Sequence, residues 1–522
     1  MFRKFALASS LTLLAAGCSV TPDPLSQQTI ADIASADLQR LATEQEPIIG
    51  AISLPEAIAR ALRNNREKKM QDLQAALAQG QLALVSKEML PQLTAAAGYS
   101  HRNNYAASAS VSFRDGEPLP ISETPNYSVS QPKERTVDSV EFSWNILDFG
   151  LSYVRAKQGA DRYLIAKEKL RTVTHNITEQ VRAEYWRAVS AQRLLPEITP
   201  LMQQAQQALN DSHYVETLQI SSPIQALYYQ RELLDVLRSL QSVRQSLADS
   251  KIRLANLMGL KPGTEFELAD ASNSQVKLPN LKLSSEQMEE YALQHRPDLL
   301  STYYEKRISA AETRSALLKL FPSLKLSAGY FQDSNDYLLH QDWNNISTQV
   351  SWNLMNVFRI SGERAVGKTR ELYADEQRLA TSVAVMAQVK MASLSYQQTL
   401  QSYQLADRYL DVAQRIKSQE GNRMKAAQSS ELDFIRESLN ALLAELRRDV
   451  AYADLQNSYG RLFTSMGVDL VGDDYRNASL VSLTAQIQAA YDQWQQHGQP
   501  ATPSLMDTQS AKDTALESSE EQ

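Results

Sequence analysis

The chain has 522 residues, of which 43% are apolar, and carries a net charge of -7 from 60 acidic and 53 basic side chains. The charges are spread along the chain without a basic block, so nucleic acid is not expected as a partner. Glycine (17) and proline (18) are few for this length, and this composition favours long helices.

The N-terminus has the pattern of a signal peptide. Arg3 and Lys4 precede the apolar stretch 5–16, which is too short to cross a bilayer. Small residues then lead to Cys18, the only cysteine of the chain, and this arrangement resembles the bacterial lipobox. We therefore predict a lipoprotein signal peptide over 1–17 and a covalent lipid on Cys18 as the anchor. The alternative is an ordinary signal peptide with an incidental cysteine.

The segment 18–50 is predicted to be a lipid-anchored tether with a little helix, because it contains several prolines among mixed polar residues. Ser19, rather than aspartate, follows the cysteine. A residue other than aspartate at this position resembles the sorting signal of lipoproteins of the outer membrane.

After the tether the chain repeats itself. Short patterns recur first at an offset of 231 residues and then at an offset of 208 residues, which indicates one unit duplicated. The recurring pairs are Ala57/Met288, Ala61/Ala292, Leu62/Leu293, Asn65/Arg296, Pro91/Pro322, Trp144/Trp352, Arg253/Arg461, Met258/Met466 and Gly259/Gly467. We assign repeat 1 (helix, β-hairpin and long helices) to 51–272 and repeat 2 to 273–472.

The change of offset locates an insertion of 23 residues in the first copy, between Pro91 and Trp144. This segment contains Asp115-Gly116 and four prolines among serine and asparagine residues. Such residues interrupt regular structure, so the insertion is predicted to be a loop.

Four segments alternate between apolar and polar residues, as strands with one wet face do. Two strong examples flank Trp144 and Trp352, and weaker ones in phase with them include Tyr99 and Tyr330. Each copy thus supplies one hairpin of strands about nine residues long, which is the length that a tilted strand needs to cross a hydrocarbon core.

The remaining sequence is helical in pattern. Residues 150–221 could form a nearly continuous helical path of roughly 100 Å, since an α-helix rises 1.5 Å per residue. Pro196 and Pro200 are expected to kink or interrupt it.

Each copy is predicted to end in a tight helical hairpin far from its strands. In the first copy Ser222, Pro223 and Gln225 have the order of a helix start, and Ser430 begins the same pattern in the second copy. After Gly472 the pattern fades, so 473–522 is assigned as a C-terminal segment with a partly disordered, acidic tail.

Four amphipathic strands raise a physical problem, because unpaired backbone groups at an open sheet edge are costly in lipid. Four strands are also too few to enclose a lumen. Several chains are therefore expected to share one barrel with apolar residues outside and a wet interior, which is a pore.

The repeated order of these motifs resembles the TolC family of outer-membrane efflux and secretion ducts. The similarity covers about residues 51–470 and includes the helix motif 54–65, its repeat at 288–299, the hairpin tips and the Met-Gly pairs that end each copy. The resemblance implies a mainly α fold with a transmembrane β-barrel portion, in a trimeric α/β-barrel tunnel built from the duplicated unit. It also implies a homotrimer in the outer membrane that contacts a periplasmic adaptor and an inner-membrane transporter through the hairpin tips.

Members of that family close the tunnel with acidic rings near the second hairpin, and the matching residue here is Asp433. Three copies would bring carboxylates together, favour cations and raise the pKa of each carboxyl. The alternative is that Asp433 only completes a helix cap with Ser430. Arg436 stands where the family often has a second acid. Glu431 and Arg436 are either partners for a neighbouring chain at the periplasmic entrance or solvated surface.

The aromatic residues Tyr99, Trp144, Tyr330 and Trp352 are assigned to a membrane-interface belt, with a place in the core as the alternative. No catalytic, cofactor-binding or metal-binding residue is expected, because the six histidines are scattered and no nucleophile or phosphate-loop motif occurs. A lipid-anchored periplasmic coiled-coil scaffold or adhesin without a pore is the alternative function. It would not need the four strands.

Overall fold

The structure is a computed structural model, and it describes residues 23–43, 46–121, 124, 126–217, 223–261, 263–269, 281–426, 428–472 and 478–497. The predicted signal peptide, Cys18, Ser222 and the acidic tail lie outside these residues. The helices are α1 (Gln27–Thr43), α2 (Leu54–Asn64), α3 (Arg66–Lys87), α4 (Ile146–Thr217), α5 (Pro223–Leu257), α6 (Ser285–His295), α7 (Pro297–Leu318), α8 (Ile360–Lys425), α9 (Glu431–Met466) and α10 (Leu480–His497). The strands are β1 (Gln92–His101), β2 (Ala107–Ala109), β3 (Phe113–Arg114), β4 (Glu117–Pro118), β5 (Tyr127–Val129), β6 (Glu134–Asn145), β7 (Ser323–Asp333) and β8 (Asp342–Ser351).

The duplication inferred from the sequence is visible in the elements. Helices α2 and α6 each have 11 residues, and α3 and α7 each have 22. The residue between the two helices has nearly the same backbone in both copies, with φ -60° and ψ 127° at Asn65 and φ -66° and ψ 126° at Arg296. Serine caps the first helix of each pair, Ser53 for α2 and Ser284 for α6.

The four long strands form one antiparallel sheet in the order β1-β6-β7-β8. Each copy contributes one hairpin, and β6 and β7 join the two hairpins. The register pairs Gln92 with Ser143 in the first hairpin and Ser323 with Ser351 in the second. Strand β1 pairs only with β6, and β8 pairs only with β7. The described sheet therefore has two free edges.

The insertion of the first copy is more regular than the predicted loop. Strands β2 and β5 pair with each other, and β3 and β4 pair around the turn at Asp115-Gly116. Both turn residues have positive φ (54° and 87°), which glycine adopts without strain and aspartate tolerates. The prediction of an irregular loop was therefore wrong for these strands, since short hairpin pairing needs only a few extended residues on either side of a suitable turn.

Helix α4 runs through 72 residues, including Pro196 and Pro200. These prolines therefore do not interrupt it, and the alternative prediction of a kink remains a prediction. Packing of α4 against its neighbours compensates for the backbone hydrogen bonds that proline cannot donate. Helix α8 of the second copy has 66 residues. Among the described residues, no helix combines the length and the apolar character that crossing a bilayer requires.

The largest hydrophobic core lies at mid-height of the long helices, where α2, α4, α5, α6, α8, α9 and α10 meet. Helix α10 was not predicted, although Leu483, Ile487 and Tyr491 follow a helical spacing and are buried in this core. The buried guanidinium of Arg182 in α4 donates to the hydroxyl of Tyr491 and holds α10 in place. A second core follows α4, α5 and α9 towards the hairpin tips.

Candidate membrane sheet and tunnel entrance

The register shows that the four strands are in phase. Residues paired across an antiparallel sheet point to the same face. The apolar members of the set on one face are Leu93, Ala95, Ala97, Tyr99, Val140, Phe142, Trp144, Leu324, Leu326, Ala328, Tyr330, Ile346 and Val350, and the polar members include Thr136, Asp138, Gln332, Asp342, Asn344 and Thr348. The alternation predicted for each strand separately thus produces one mainly apolar face, with most of its polar members at the end of the sheet away from the helices.

The opposite face is lined mainly by small polar side chains. Ser327 and Ser347 are joined through their hydroxyls at 2.7 Å, and Ser323 and Ser351 at 2.6 Å. Glu141, the cross-strand partner of Gly329, lies on the same face. A surface of this kind is suited to contact with water.

The four predicted belt aromatics occupy different heights on the sheet. Trp144 lies near the helix end, and Trp352 directly follows β8 at that end and donates from Nε1 to the Leu320 carbonyl at 3.0 Å. Tyr99 lies near the opposite end, and Tyr330 lies three residues before the end of β7. Tyr99, Tyr330 and Trp352 are exposed, whereas Trp144 is half-buried. Their role as an interfacial belt remains a prediction.

At the end of the sheet away from the helices, Arg135 and Asp333 join the two copies. The guanidinium Nε of Arg135 donates to Oδ1 of Asp333 at 2.8 Å, and Nη2 donates to Oδ2. The same carboxylate accepts the backbone N–H of Asn335, whose side-chain amide donates to the Ser130 carbonyl. This clasp ties the base of the insertion to the loop between β7 and β8. The sequence patterns did not identify it, because Arg135 and Asp333 lie at the ends of two different strands, 198 residues apart.

At the tip of the second hairpin, Ser430 caps α9. Its hydroxyl accepts the backbone N–H of Asp433 at 3.2 Å and donates to the Asp433 carboxylate at 2.6 Å. Arg436 donates to the other oxygen of this carboxylate at 3.0 Å and lies 3.5 Å from Glu437. The Ser430 hydroxyl, together with Arg436, holds the pKa of Asp433 below its usual range. The structure shows the capping contact, and the acidic ring remains a prediction.

The two hairpin tips lie side by side in one chain. Burial raises the pKa of Tyr229 in α5, and the negative charges of Glu431, Asp211 and Asp433 raise it further. Of the predicted adaptor-contact residues, Pro223 is the first residue of α5 and Gln225 is exposed. The predicted entrance residues of the second copy are therefore close to the first hairpin, and their roles remain predictions.

The Met-Gly pairs at the end of each copy form two equivalent joints. A Cβ on Gly259 would lie 2.7 Å from the Cβ of Asn64, and a Cβ on Gly467 would lie 2.6 Å from the carbonyl oxygen of His295. Both glycines also have positive φ, 71° and 79°. Only glycine meets both demands without strain. The C-terminus of α5 thus abuts the corner between α2 and α3, and α9 abuts the corner between α6 and α7.

Different side chains close the two joints. Asn65 donates from its amide to the Leu257 carbonyl at 3.3 Å in the first copy. In the second copy Arg296 donates to the carbonyls of Thr464 and Ser465 and forms two hydrogen bonds with Asp298 at 2.9 and 2.7 Å. The pair Asn65/Arg296 was found as a repeat position, and its contacts explain why a polar donor stands there in both copies.

A charged cluster supports the second joint. Arg171 and His175 of α4 bind opposite oxygens of Asp469 at 2.8 and 2.7 Å, and Arg171 also donates to the His295 carbonyl at 3.2 Å. Burial acts to raise the pKa of Asp469, but the hydrogen bonds from His175 and Arg171 and their positive charges keep it below its usual range. Asp469 therefore fastens the segment after α9 to α4.

No family model and no curated protein sequence matches the chain. Solved structures do match its fold. CusC, described for its transmembrane channel formation, is 19% identical, with a TM-score of 0.59 over 81% of this chain and 95% of its own. The Campylobacter jejuni CmeC outer membrane channel is 16% identical, with a TM-score of 0.60 over 83% and 89%. The Neisseria gonorrhoeae MtrE outer membrane channel, in its open state, is 16% identical, with a TM-score of 0.58 over 78% and 88%. The chain has the fold of these channels, as the resemblance to the TolC family implied, and the mainly α, internally duplicated architecture is confirmed.

Proposed function

We propose that this protein is an outer-membrane channel, a trimeric pore with a periplasmic tunnel, and serves as the channel component of a tripartite efflux pump or a type I secretion system. The observation that carries the proposal is the four-stranded sheet with one apolar face, one polar face and two free edges. Small molecules or polypeptides are its cargo.

The free edges require a partner with the same strand pattern. In lipid each unpaired backbone group costs several kcal/mol, so a sheet that faces hydrocarbon must close. Edge strands β1 and β8 each have 10 residues. A second copy can present β8 to β1, and three copies close a barrel of twelve strands, as in the family that the sequence resembles. The polar face then lines the lumen.

The long helices carry a second surface for neighbouring copies. On the lower half of α8, exposed apolar side chains recur at spacings of four, three and four residues, as in one seam of a coiled coil. They are Leu405, Tyr409, Val412 and Ile416. Packing of this stripe on the next copy extends the barrel as a helical tunnel.

The ends of the molecule receive the remaining roles. The lipid on Cys18 anchors the chain in the outer membrane. The hairpin tips around Gln225 and Ser430 contact a periplasmic adaptor, through which an inner-membrane transporter delivers cargo. Asp433 lies at the tunnel entrance. A scaffold or adhesin without a pore would have no use for an apolar sheet face, so we do not favour that alternative.

The test uses the full chain extracted from membranes. Gel migration with and without heating, and single-channel recording in planar bilayers, should give a heat-sensitive trimer and discrete conductance steps. Ile416→Asp should weaken the trimer, whereas the exposed substitution Arg415→Ala is the matched control. A monomeric, non-conducting protein would contradict the proposal. Photocrosslinking from position 225 in cells would identify the adaptor.

A further inference from the structure

Two large aromatic side chains interrupt the polar face of the sheet. Phe331 and Trp343 are cross-strand partners, and their rings are stacked with centroids 5.8 Å apart and planes 10° apart. They lie on the face opposite to Tyr330, with the serine pairs described above. Trp343 keeps 41% of its surface exposed. Large aromatic side chains are unusual on this face, which is otherwise lined mainly by polar and charged groups.

The aromatic pair is built into the sheet rather than placed on it. A Cβ on Gly329 would lie 3.0 Å from Cε2 of Phe331 and 3.1 Å from the Val140 carbonyl oxygen. The absence of a side chain at Gly329 thus lets the ring of Phe331 lean over the backbone. Since stacked rings at this centroid separation are offset, part of each ring face stays uncovered. The two rings together present an extended flat surface.

The charges around this surface favour a cation. Arg135, which lies on this face, is neutralised by Asp333. Glu141 is the cross-strand partner of Gly329, directly beside the leaning ring, and no ion pair is assigned to it among the described residues. Lys325 lies on the same face but four residues from Gly329 along β7, which is about 13 Å at 3.3 Å per residue.

We propose that Phe331, Trp343 and Glu141 form a stacking site for planar organic cations on the lumenal wall of the barrel. Ring faces attract both flat aromatic groups and positive charge, and the carboxylate supplies the complementary charge. The lumenal position rests on the proposed channel function, but the site itself is present in the sheet of one chain. Three copies would place three such sites around the pore.

The experiment uses ethidium, a planar aromatic cation, with the purified full-length protein. Fluorescence anisotropy measures its binding in detergent, and block of single-channel current measures it in planar bilayers. Trp343→Ala should weaken ethidium binding roughly tenfold, since loss of a stacked ring removes about 1–2 kcal/mol. Trp343→Phe should retain most of the binding. If the alanine variant folds poorly, Trp343→Leu replaces it as the test. Leucine fills part of the same space without a ring face, so it should show the same loss of ethidium binding.

Two further variants separate the components of the site. Glu141→Gln should weaken ethidium binding several-fold at low salt and less at high salt, because the charge interaction is screened. Tyr330→Ala, on the opposite face of the same strand, is the matched control and should leave binding unchanged. Spermidine, a cation without a ring, should respond to Glu141→Gln, and it should lose less affinity than ethidium with Trp343→Ala because it cannot stack on the ring.

The outcomes distinguish this site from the channel itself. Ethidium binding that is the same for the parent, Trp343→Ala and Trp343→Leu would overturn the stacking site even if the protein conducts. Binding in detergent that depends on Trp343, in a protein that forms no pore, would overturn the channel function and leave the aromatic site in place.

Discussion

Gly467 lies against the backbone of His295 so closely that a side chain at this position would meet the carbonyl oxygen at 2.6 Å. Gly467→Ala should therefore lower the free energy of unfolding by about 2 kcal/mol or more, because positive φ and the close contact both oppose a Cβ. Chemical denaturation followed by circular dichroism measures this change. Gly362→Ala, at an exposed position of α8 with open space around it, is the control and should be neutral or stabilise by up to about 1 kcal/mol. Equal changes in the free energy of unfolding for the two variants would contradict the close contact between Gly467 and His295.

The two joints should differ in their sensitivity to loss of the closing side chain. Arg296→Ala removes hydrogen bonds to two carbonyls and leaves Asp298 without its guanidinium, so a loss of about 2–3 kcal/mol is expected. Asn65→Ala removes one amide hydrogen bond and a helix cap, for which about 1–2 kcal/mol is expected. Denaturant midpoints at constant m-value are the measurement. A larger loss for Asn65→Ala would show that the charged joint is not the stronger one.

Two substitutions separate the capping role of Asp433 from a role in ion passage. Ser430→Ala removes the cap and should cost about 1 kcal/mol of stability while leaving the carboxylate charged. Asp433→Asn keeps the backbone N–H that Ser430 accepts and removes the charge, so it should reduce preference for cations over anions in single-channel recordings. If Asp433→Asn conducts with the parent's selectivity, Asp433 serves only as a cap.

Stability should depend on pH through Asp469. Its pKa is lowered in the folded protein, so the charged form stabilises the fold at pH values above the usual aspartate pKa of about 4. This stabilisation is lost as the pH falls through the lowered value. Asp469→Asn should therefore lower the unfolding temperature at pH 7, with the difference from the parent shrinking below about pH 4. Asp411→Asn, an exposed position 3.6 Å from Arg415, should show no such difference. A gap that is constant with pH would exclude this role of Asp469.

The lipid anchor gives a prediction outside the described part of the chain. Cys18 is the only cysteine, so Cys18→Ser should abolish incorporation of labelled palmitate. Without the lipid, processing by the lipoprotein pathway should fail and the apparent mass should rise by the uncleaved signal peptide. Undiminished labelling of Cys18→Ser would contradict the lipobox assignment, and Ser19→Ala is a suitable control because it keeps the cysteine.

Local patterns predicted most of the fold. The alternation around Val140 and Leu326 indicated the strands and their faces, because a side-chain period of two leaves one register in which all apolar residues share a face. The offset between Gly259 and Gly467 indicated the duplication from the residues alone. The reason for glycine at these positions, contact with a distant backbone, depends on the fold.

Other features depend on tertiary contacts that no local pattern contains. Pro196 indicated a kink or an interruption in α4, and the helix is not interrupted there. Packing on neighbouring helices, which a local pattern does not contain, can hold a helix together past a proline. The Arg135–Asp333 clasp and the stacking of Phe331 on Trp343 join residues from different strands or loops. Leu483, Ile487 and Tyr491 in α10 have the spacing of a helix. The helix was not predicted, because the polar sequence before it shows no such spacing.

The long helices of each copy differ in how they can move, because some are continuous and others meet end to end. Helix α4 is one covalent rod of about 108 Å from the sheet to the hairpin tip, whereas its companions α3 and α5 meet at the Gly259 joint. A continuous helix resists twisting through its own backbone hydrogen bonds, but an abutment of two ends can slide or rotate without breaking any of them. We therefore expect movement of the hairpin tips relative to the sheet to combine bending of α4 with sliding at the Gly259 and Gly467 joints, limited by the side-chain hydrogen bonds across them.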